Sequence, residues 1–327
     1  MIGRRAGTKP RAPAAAGHGT AEAFGTFGEL LQGRLPESDV DFLVTMPIDR
    51  WSTCSFHYEP RRSEVRVRPP RKLKSRRLAE AMLRHYGREG GGTLEITSDI
   101  PEGKGFASSS ADLVATARAV GLALQVEPTS REIEDLLRDI EPTDGVMYDE
   151  VVAFRHREVR LHERLGSLPP LTIVGVDEGG EVSTIEFNRI PKLISTADKR
   201  AYGTLLSRAV AAVGSGDADA IGRVATRSAL MNQRLRPKRL LDRMLAACRE
   251  IGGLGVVTAH SGTASGILLS DDDPDYVEQL SAARRACASM AGTVLVDHCL
   301  SIEEVVDPLS LEQSWQTFEV MSCSSTP

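Results

Sequence analysis

The sequence lacks the features of two common classes of protein. It contains no apolar run of about 18 residues or more, so no segment is predicted to span a membrane. It has 40 Lys and Arg residues against 45 Asp and Glu residues, a net charge of −5, and therefore lacks the basic excess typical of nucleic-acid-binding proteins. We expect neither a membrane nor a nucleic acid as a partner.

Cysteine is also scarce, and its spacing excludes the usual structural roles. The five cysteines form no CxxC pair, and an odd number does not suit a disulfide framework or a structural zinc site. The N-terminus is basic but has no apolar stretch behind it, so it does not resemble a secretory signal. These observations favour a reducing compartment and predict a cytoplasmic protein.

The length of 327 residues favours two packed domains. Residues 1–20 are rich in Pro, Gly and Ala, and we predict that they form a disordered tail. Strand-like and helix-like segments follow without a regular alternation, which indicates an α+β fold. Because GSLPPL interrupts the pattern, we place an N-terminal domain at 21–168 and a C-terminal domain at 169–327.

One basic cluster, RRSEVRVRPPRKLKSRR at 61–77, departs from the balanced charge of the rest. Its alternating EVRVRP segment is typical of a strand, and the following residues have the apolar spacing of a helix. We interpret the cluster as a solvated connector, with an acidic ligand or partner as the alternative.

The segment PEGKGFASSSA at 101–111 joins a predicted strand to an amphipathic helix. Gly103 and Gly105 allow close approach of a ligand to the backbone, and the first turn of a helix presents unpaired N–H groups at the positive end of its dipole. This arrangement predicts an anion site suited to phosphates, where serine hydroxyls can also ligate Mg²⁺. The alternative is that Ser108–Ser110 only cap a core helix. The segment matches neither GxxxxGK[ST] nor GxGxxG.

Three segments in chain order resemble the motifs of the GHMP kinases. PEGKGFASSSA resembles the PxxxGLxSSA signature, with Phe106 where Leu is usual and Ala107 where Gly is common. GTFGELLQG at 25–33 occupies the place of the first motif, and GVVTAHSGTASGILL at 255–269 resembles the glycine-rich third motif. The resemblance implies an ATP-dependent phosphotransferase with a two-domain fold: a ribosomal protein S5 domain 2-like N-terminal domain and a ferredoxin-like C-terminal domain.

A narrower resemblance links the chain to the L-threonine kinases of the propanediol-utilisation and cobalamin-synthesis type. It depends on GTFGELLQG, FLVTMPIDRWS, IEPTDGVMYDEVVAF and VVTAHSGTASGILL, and it covers most of the chain after the tail. It implies that ATP and L-threonine give O-phospho-L-threonine. Homoserine, serine or another small alcohol is the alternative acceptor, and a non-catalytic nucleotide-binding homologue is a further alternative. Assembly into a homodimer stays open.

The resemblance also implies which residues bind the nucleotide and its metal ion and which take part in phosphoryl transfer. It implies that Ser109 and Glu141 bind Mg²⁺, with Glu134 as the alternative to Glu141, and that Ser109 and Asp144 are the catalytic pair. Asp144 would accept a hydrogen bond from the acceptor hydroxyl, as an orienting group or as a base. Without the resemblance, Pro142–Gly145 would be interpreted as a plain turn. The ATP phosphates are expected on the loop formed by Pro101, Glu102, Gly103, Lys104, Gly105, Phe106, Ala107, Ser108, Ser109 and Ser110.

Candidates for acceptor recognition come from the first and third motifs and from two other segments. A carboxylate and an amide can recognise the ammonium and carboxylate groups of an amino acid, which makes Glu29 and Gln32 candidates. The third motif is expected to form a glycine turn that supports the phosphate loop; for His260 a structural role is the alternative. The remaining candidates are Asp49, Thr184, His260, Ser261 and Gly262.

Overall fold

The computed structural model describes residues 15–179, 194–260 and 262–301. The helices are α1 (Leu73–His85), α2 (Ser108–Leu124), α3 (Ser130–Leu137), α4 (Thr196–Ser215), α5 (Ala218–Asn232), α6 (Leu241–Ile251) and α7 (Tyr276–Met290). The strands are β1 (Gly17–Arg34), β2 (Asp41–Glu59), β3 (Val65–Arg68), β4 (Gly91–Ser98), β5 (Val151–Arg155), β6 (Arg160–Gly166), β7 (Leu171–Asp177), β8 (Gly255–Thr258), β9 (Ala264–Ser270) and β10 (Val294–His298). In the described ranges, every helix is too short or too polar to traverse a bilayer.

The ten strands of the described residues form one mixed sheet. Its order is β10, β7, β9, β8, β1, β2, β4 and β3, and β5 and β6 branch from β2. Strands β3 and β4 run parallel, and the other strand pairs are antiparallel. Helices and strands are interspersed along the chain without βαβ regularity, so the sequence-based expectation of an α+β fold is confirmed.

The long strand β1 joins the two halves of the chain. It pairs with β2 from Gly17 and Tyr58 to Arg34 and Asp41, and at Glu29 it also pairs with Thr258 of β8. Strands from both sides of the expected domain boundary therefore belong to one sheet. The division into domains at residues 168 and 169 stays a prediction.

Strand β1 also begins earlier than the sequence suggested. We expected order from Ala21, with a tail through residue 20, but β1 starts at Gly17, because residues 17–20 pair with residues 55–58 of β2. The glycine-rich first motif lies within the same strand, where the register shifts between Phe24 and Gly25 and again on either side of Glu29. These irregularities break the period-2 pattern by which a strand is recognised in a sequence.

Helix α2 is the buried centre of the first half of the chain. Thirteen of its 17 residues are buried, and most of them are small or aliphatic. Its one buried carboxylate, Asp112, accepts hydrogen bonds from Ser52 Oγ at 2.6 Å and from Lys72 Nζ. A buried carboxylate is stable only when hydrogen bonds or opposite charges compensate it, and Ser52 and Lys72 do so here. These two contacts therefore fix where the N-terminal end of α2 lies relative to β2 and α1.

The three motifs meet through backbone hydrogen bonds around the loop before α2. The Gly28 and Thr26 N–H groups of β1 donate to Gly105 O at 2.9 Å and Phe106 O at 3.1 Å. From the third motif, Thr263 N–H donates to Lys104 O at 3.1 Å. The phosphate loop is therefore held between the first and third motifs, as the interpretation of the third motif as a supporting turn requires.

We expect Gly262→Ala to loosen this arrangement. A Cβ atom at Gly262 would lie 1.9 Å from Lys104 O, and a backbone atom cannot move away without shifting the loop. The expected loss in the free energy of unfolding is about 2 kcal/mol or more, measured by urea denaturation. Gly292→Ala is the matched control, because nothing lies within 4 Å of its added Cβ. Equal stability of the two variants would contradict this prediction.

Candidate active site

A cleft opens where the phosphate loop meets β1 and the segment that follows α3. Its wall combines the N-terminal end of α2 with three carboxylates. The lining residues are Thr26, Glu29, Gly103, Gly105, Phe106, Ala107, Ser108, Ser109, Ser110, Glu141, Pro142, Thr143, Asp144 and His156. The helix end on which the phosphate prediction depends therefore faces a cleft and is not packed shut.

The N-terminal end of α2 is suited to an anion. The helix starts after Ala107 without a capping side chain and without an acidic residue in its first turn. No cap side chain and no first-turn carboxylate of the helix itself therefore compensates its first N–H groups and its dipole, which favours binding of a phosphate or a carboxylate. Ala107 has φ = 57°, a left-handed conformation that glycine adopts more readily, which explains why Gly is common at this position of the motif.

Ser109, Glu141 and Lys74 form one hydrogen-bonded group at this helix end. Ser109 Oγ donates to Glu141 Oε1, and Lys74 Nζ donates to Glu141 Oε2. Lys74 Nζ also lies 3.5 Å from Ser109 Oγ. Glu141 is buried, and the side chain of Lys74 is 40% exposed. The structure thus brings together the two residues that the sequence assigned to Mg²⁺, with an ammonium group between them and solvent.

Asp144 is held by Ser110, the residue that follows Ser109 in α2. Ser110 Oγ donates to Asp144 Oδ2 at 3.2 Å, and the Asp144 N–H donates to Ser110 Oγ at 3.1 Å. Burial, followed by the negative charge of Glu29, raises the pKa of Asp144 to about 7. Ser110, predicted to contact the nucleotide, lines the cleft, and its buried side chain hydrogen-bonds Asp144. The carboxyl group can accept or donate a proton near neutral pH.

Glu29 is linked to the third motif through His260. Glu29 Oε2 accepts the His260 backbone N–H at 2.9 Å and lies 3.0 Å from His260 Nδ1. Although burial alone raises the pKa of Glu29, the hydrogen bonds and charge of His260 outweigh it, and the pKa is lowered. His260 Nε2 lies 2.8 Å from Ser228 Oγ. His260 is therefore buried behind Glu29, while Glu29 itself lines the cleft.

Glu134, the alternative metal ligand, lies in a different environment. Its carboxylate accepts hydrogen bonds from Tyr148 Oη at 2.9 Å, from Leu161 N–H at 2.6 Å and from Arg160 at 2.7 Å. It is fully buried in this network and is not among the residues that line the cleft. The structure places Glu141, and not Glu134, beside Ser109.

Three residues of the predicted phosphate loop do not line the cleft, and a fourth, Phe106, lines it with a ring that is buried in the core. Lys104 Nζ pairs with Asp177 at 2.8 Å, and Glu102 pairs with Arg71 and Lys72. The Phe106 ring is buried against Phe27, with ring centroids 5.0 Å apart. Pro101 does not line the cleft. The loop therefore borders the cleft through Gly103 and residues 105–110.

The remaining acceptor-side candidates are not gathered in the cleft. Asp49 is exposed and accepts a hydrogen bond from Trp51 Nε1 at 2.6 Å. Gln32 donates its backbone N–H to Ser228 Oγ at 3.3 Å. Gly262 packs on the backbone of Lys104. Thr184 and Ser261 lie outside the described residues.

The sequence interpretation did not single out three charged or titratable residues near the loop. Lys74 belongs to the basic cluster at 61–77, and its charge in that cluster was the only available signal. Lys238 is buried and donates from Nζ to Gly262 O; burial, followed by the charge of Arg236, lowers its pKa to about 8. His156 lines the cleft after β5, and nothing in its sequence context marked it.

The donor set at Ser109 and Glu141 fits a magnesium ion. Hydroxyl and carboxylate oxygens are hard ligands, and the Lys74 ammonium shows that the position accommodates a positive charge. Within the described ranges, no group of three or more His, Cys, Asp or Glu side chains converges as a complete metal cage. Two protein ligands suffice for Mg²⁺ when nucleotide phosphates and water complete the coordination.

Comparisons with known proteins agree with the motif resemblance. Residues 74–154 match the model of the GHMP kinases N terminal domain. The chain is 28% identical to an L-threonine kinase from Citrobacter freundii over 276 residues, which cover 81% of the chain and 92% of that protein. An L-threonine kinase from Salmonella typhimurium is also 28% identical, over 257 residues that cover 76% of the chain and 82% of that protein.

The fold comparison agrees with the expected architecture. The structure superposes on a homoserine kinase from Cytophaga hutchinsonii with a TM-score of 0.66 and 18% identity, over 90% of this chain and 96% of that one. At this identity the likeness concerns the fold. The GHMP kinase resemblance, its fold class and the prediction of a phosphotransferase are confirmed.

The raised pKa of Asp144 predicts a pH-dependent stability. The pKa of the Asp144 carboxyl is 3.8 in the unfolded chain and about 7 in the folded protein, so the folded state binds the proton more tightly. Proton binding therefore favours the folded state at low pH, and this contribution to the free energy of unfolding is lost as the pH rises towards 7. Asp144→Asn should remove that loss, making the variant more stable than the wild type at pH 8 by up to about 4 kcal/mol.

Urea unfolding at pH 5 and pH 8 measures this effect. The exposed Asp139→Asn, in the same connection between α3 and β5, is the matched control and should retain the wild-type pH dependence. A wild-type pH slope in Asp144→Asn would rule out the raised pKa.

Proposed function

We propose that this chain, a kinase of the GHMP superfamily, transfers the γ-phosphoryl group of ATP to the side-chain hydroxyl of a small hydroxy amino acid, namely L-threonine. The products would be ADP and O-phospho-L-threonine. The observation that carries the proposal is the position of Asp144, fixed by Ser110 one helix turn from an uncapped helix end. The choice of threonine is supported by the two L-threonine kinases that the chain resembles over most of its length.

The nucleotide phosphates are proposed to lie on the backbone N–H groups at the start of α2. The Gly103 and Gly105 segment borders the same cleft and allows the backbone to approach the phosphates. Ser109 and Glu141 would hold Mg²⁺, which neutralises phosphate charge during transfer. Phosphoryl transfer depends mainly on positioning and charge, and these groups provide both.

Asp144 is the proposed partner of the acceptor hydroxyl. Asp144 lines the cleft, and its position is fixed by two hydrogen bonds with Ser110: the hydroxyl donates to the carboxyl group and accepts the Asp144 backbone N–H. A pKa of about 7 suits a group that accepts the hydroxyl proton as the oxygen attacks, and the same geometry orients that oxygen. Asp144 therefore serves as the orienting group and as the base of the proposed reaction.

Glu29 is the proposed contact for the ammonium group of the acceptor. Its pKa is lowered despite burial, so it carries a negative charge next to Asp144. An ammonium group would form a further ion pair with this carboxylate beside its contacts with His260, whereas a sugar or a simple alcohol has no charge to pair with it. This favours an amino acid as the acceptor.

We further propose a cytoplasmic location and a role in cobalamin-type synthesis or specialised metabolism. The four cysteines in the described ranges are buried free thiols, which suits a reducing compartment. A cytoplasmic kinase would also have ATP at hand as the phosphoryl donor.

An acceptor panel tests the substrate. With Mg-ATP, we expect kcat/KM to be highest for L-threonine and lower for L-homoserine and L-serine. For 3-hydroxybutyrate, which lacks the ammonium group, it should fall by about tenfold or more. ADP release measures turnover. Turnover with homoserine but not threonine would refute the threonine assignment, and ATP binding without any turnover would favour a non-catalytic homologue.

Asp144→Asn tests the mechanism. We expect kcat to fall by about 10²- to 10⁴-fold, because the amide cannot accept the proton, while the affinity for ATP changes little. Steady-state kinetics and a nucleotide-binding titration give the two quantities. Asp139→Asn is again the matched control and should leave kcat unchanged. Wild-type kcat in Asp144→Asn would remove this residue from the mechanism.

A further inference from the structure

Helix α1 begins with positive charges where a helix normally attracts negative ones. Lys72 is its N-cap residue, Lys74 lies in the first turn, and the first turn has no acidic residue. The positive end of the helix dipole disfavours cations at these positions. The compensating carboxylates come from other elements: Asp112 and Glu102 pair with Lys72, and Glu141 pairs with Lys74.

The ammonium group of Lys74 occupies the position between oxygen atoms of Ser109 and Glu141 where a bound cation would lie. Its ammonium donates to Glu141 Oε2 and lies 3.5 Å from Ser109 Oγ, while the Ser109 hydroxyl donates to Glu141 Oε1. The side chain of Glu141 is only 7% exposed, so its charge needs a partner. Among the contacts that the structure gives for this carboxylate, Lys74 supplies the positive charge.

Lys74 can also leave this position. Its side chain is 40% exposed and is attached through a flexible stem, so the ammonium itself moves into water at a small cost when another cation takes its place beside Glu141. Glu141 cannot follow it, because it is buried at the edge of the cleft. The mobile partner is therefore the lysine and the fixed partner is the carboxylate.

We propose that Lys74 is the resident cation of the Ser109–Glu141 pair. In the metal-free protein it holds this pair together and neutralises it, and it yields the position to a divalent ion that arrives with the nucleotide. A divalent ion alone must displace the ammonium without the help of phosphate oxygens, so it binds weakly. The inference rests on the proposed function, because it takes Ser109 and Glu141 as the metal pair.

The test measures Mn²⁺ binding without nucleotide or acceptor. Lys74→Met should bind Mn²⁺ about tenfold more tightly than the wild type, because the competing charge is gone. Electron paramagnetic resonance of free Mn²⁺ gives the dissociation constant. The double variant Lys74→Met, Glu141→Gln should lose the gain. Arg77→Met removes one exposed charge from the same helix and should leave Mn²⁺ binding unchanged.

Three results would overturn the proposal: unchanged or weaker Mn²⁺ binding in Lys74→Met, a gain that survives Glu141→Gln, or an equal gain in Arg77→Met. Circular dichroism establishes that each variant is folded, and Lys74→Gln replaces Lys74→Met, with the same expectation, should the latter not fold. The Mn²⁺ measurement involves no turnover. A failed kinase assay would therefore refute the proposed function and leave the Mn²⁺ dissociation constants as a separate result.

Discussion

The contact between Glu29 and His260 is the constraint on which the site depends. Glu29 lies where β1 pairs with β8, and its carboxylate accepts two N–H groups of His260 from the third motif. The first and third motifs are thereby fixed against each other, and the phosphate loop is held between them by hydrogen bonds to Gly105 and Lys104. The carboxylate of Glu29 also lines the cleft, so the residue at which β1 pairs with β8 is itself part of the site.

The charges around the cleft follow from this arrangement. Three carboxylates, Glu29, Asp144 and Glu141, line the cleft, and each has a different set of neighbouring groups. His260 keeps Glu29 ionised, and Lys74 pairs with Glu141. For Asp144, burial followed by the charge of Glu29 raises the pKa to about 7, and the hydrogen bond from Ser110 offsets only part of this rise. Neighbouring carboxylates with different partners can take different roles in one reaction, which is how a single site can bind a cation, orient a hydroxyl and accept a proton.

Much of the fold could be predicted from the sequence because its local patterns are strong. The apolar spacing in α2 and the alternation in β4 are signals within a few residues, and the structure contains both elements with boundaries shifted by a few residues. Strand β1 was harder, because bulges around Glu29 break the alternation. The motifs indicated the kinase family, since glycine and serine spacing before a helix is itself a local feature.

By itself, the sequence determined the element types, the glycine- and serine-rich loop before α2 and the resemblance to the GHMP kinases. Only the tertiary structure decided which side chains share the cleft. Glu134 and Glu141 are equally acidic in a sequence, but one is buried by Tyr148 and Arg160, and the other meets Ser109. The physical reason is that local patterns report contacts within a turn or a strand. The environment of a carboxylate depends on residues far along the chain, as Lys74 is from Glu141.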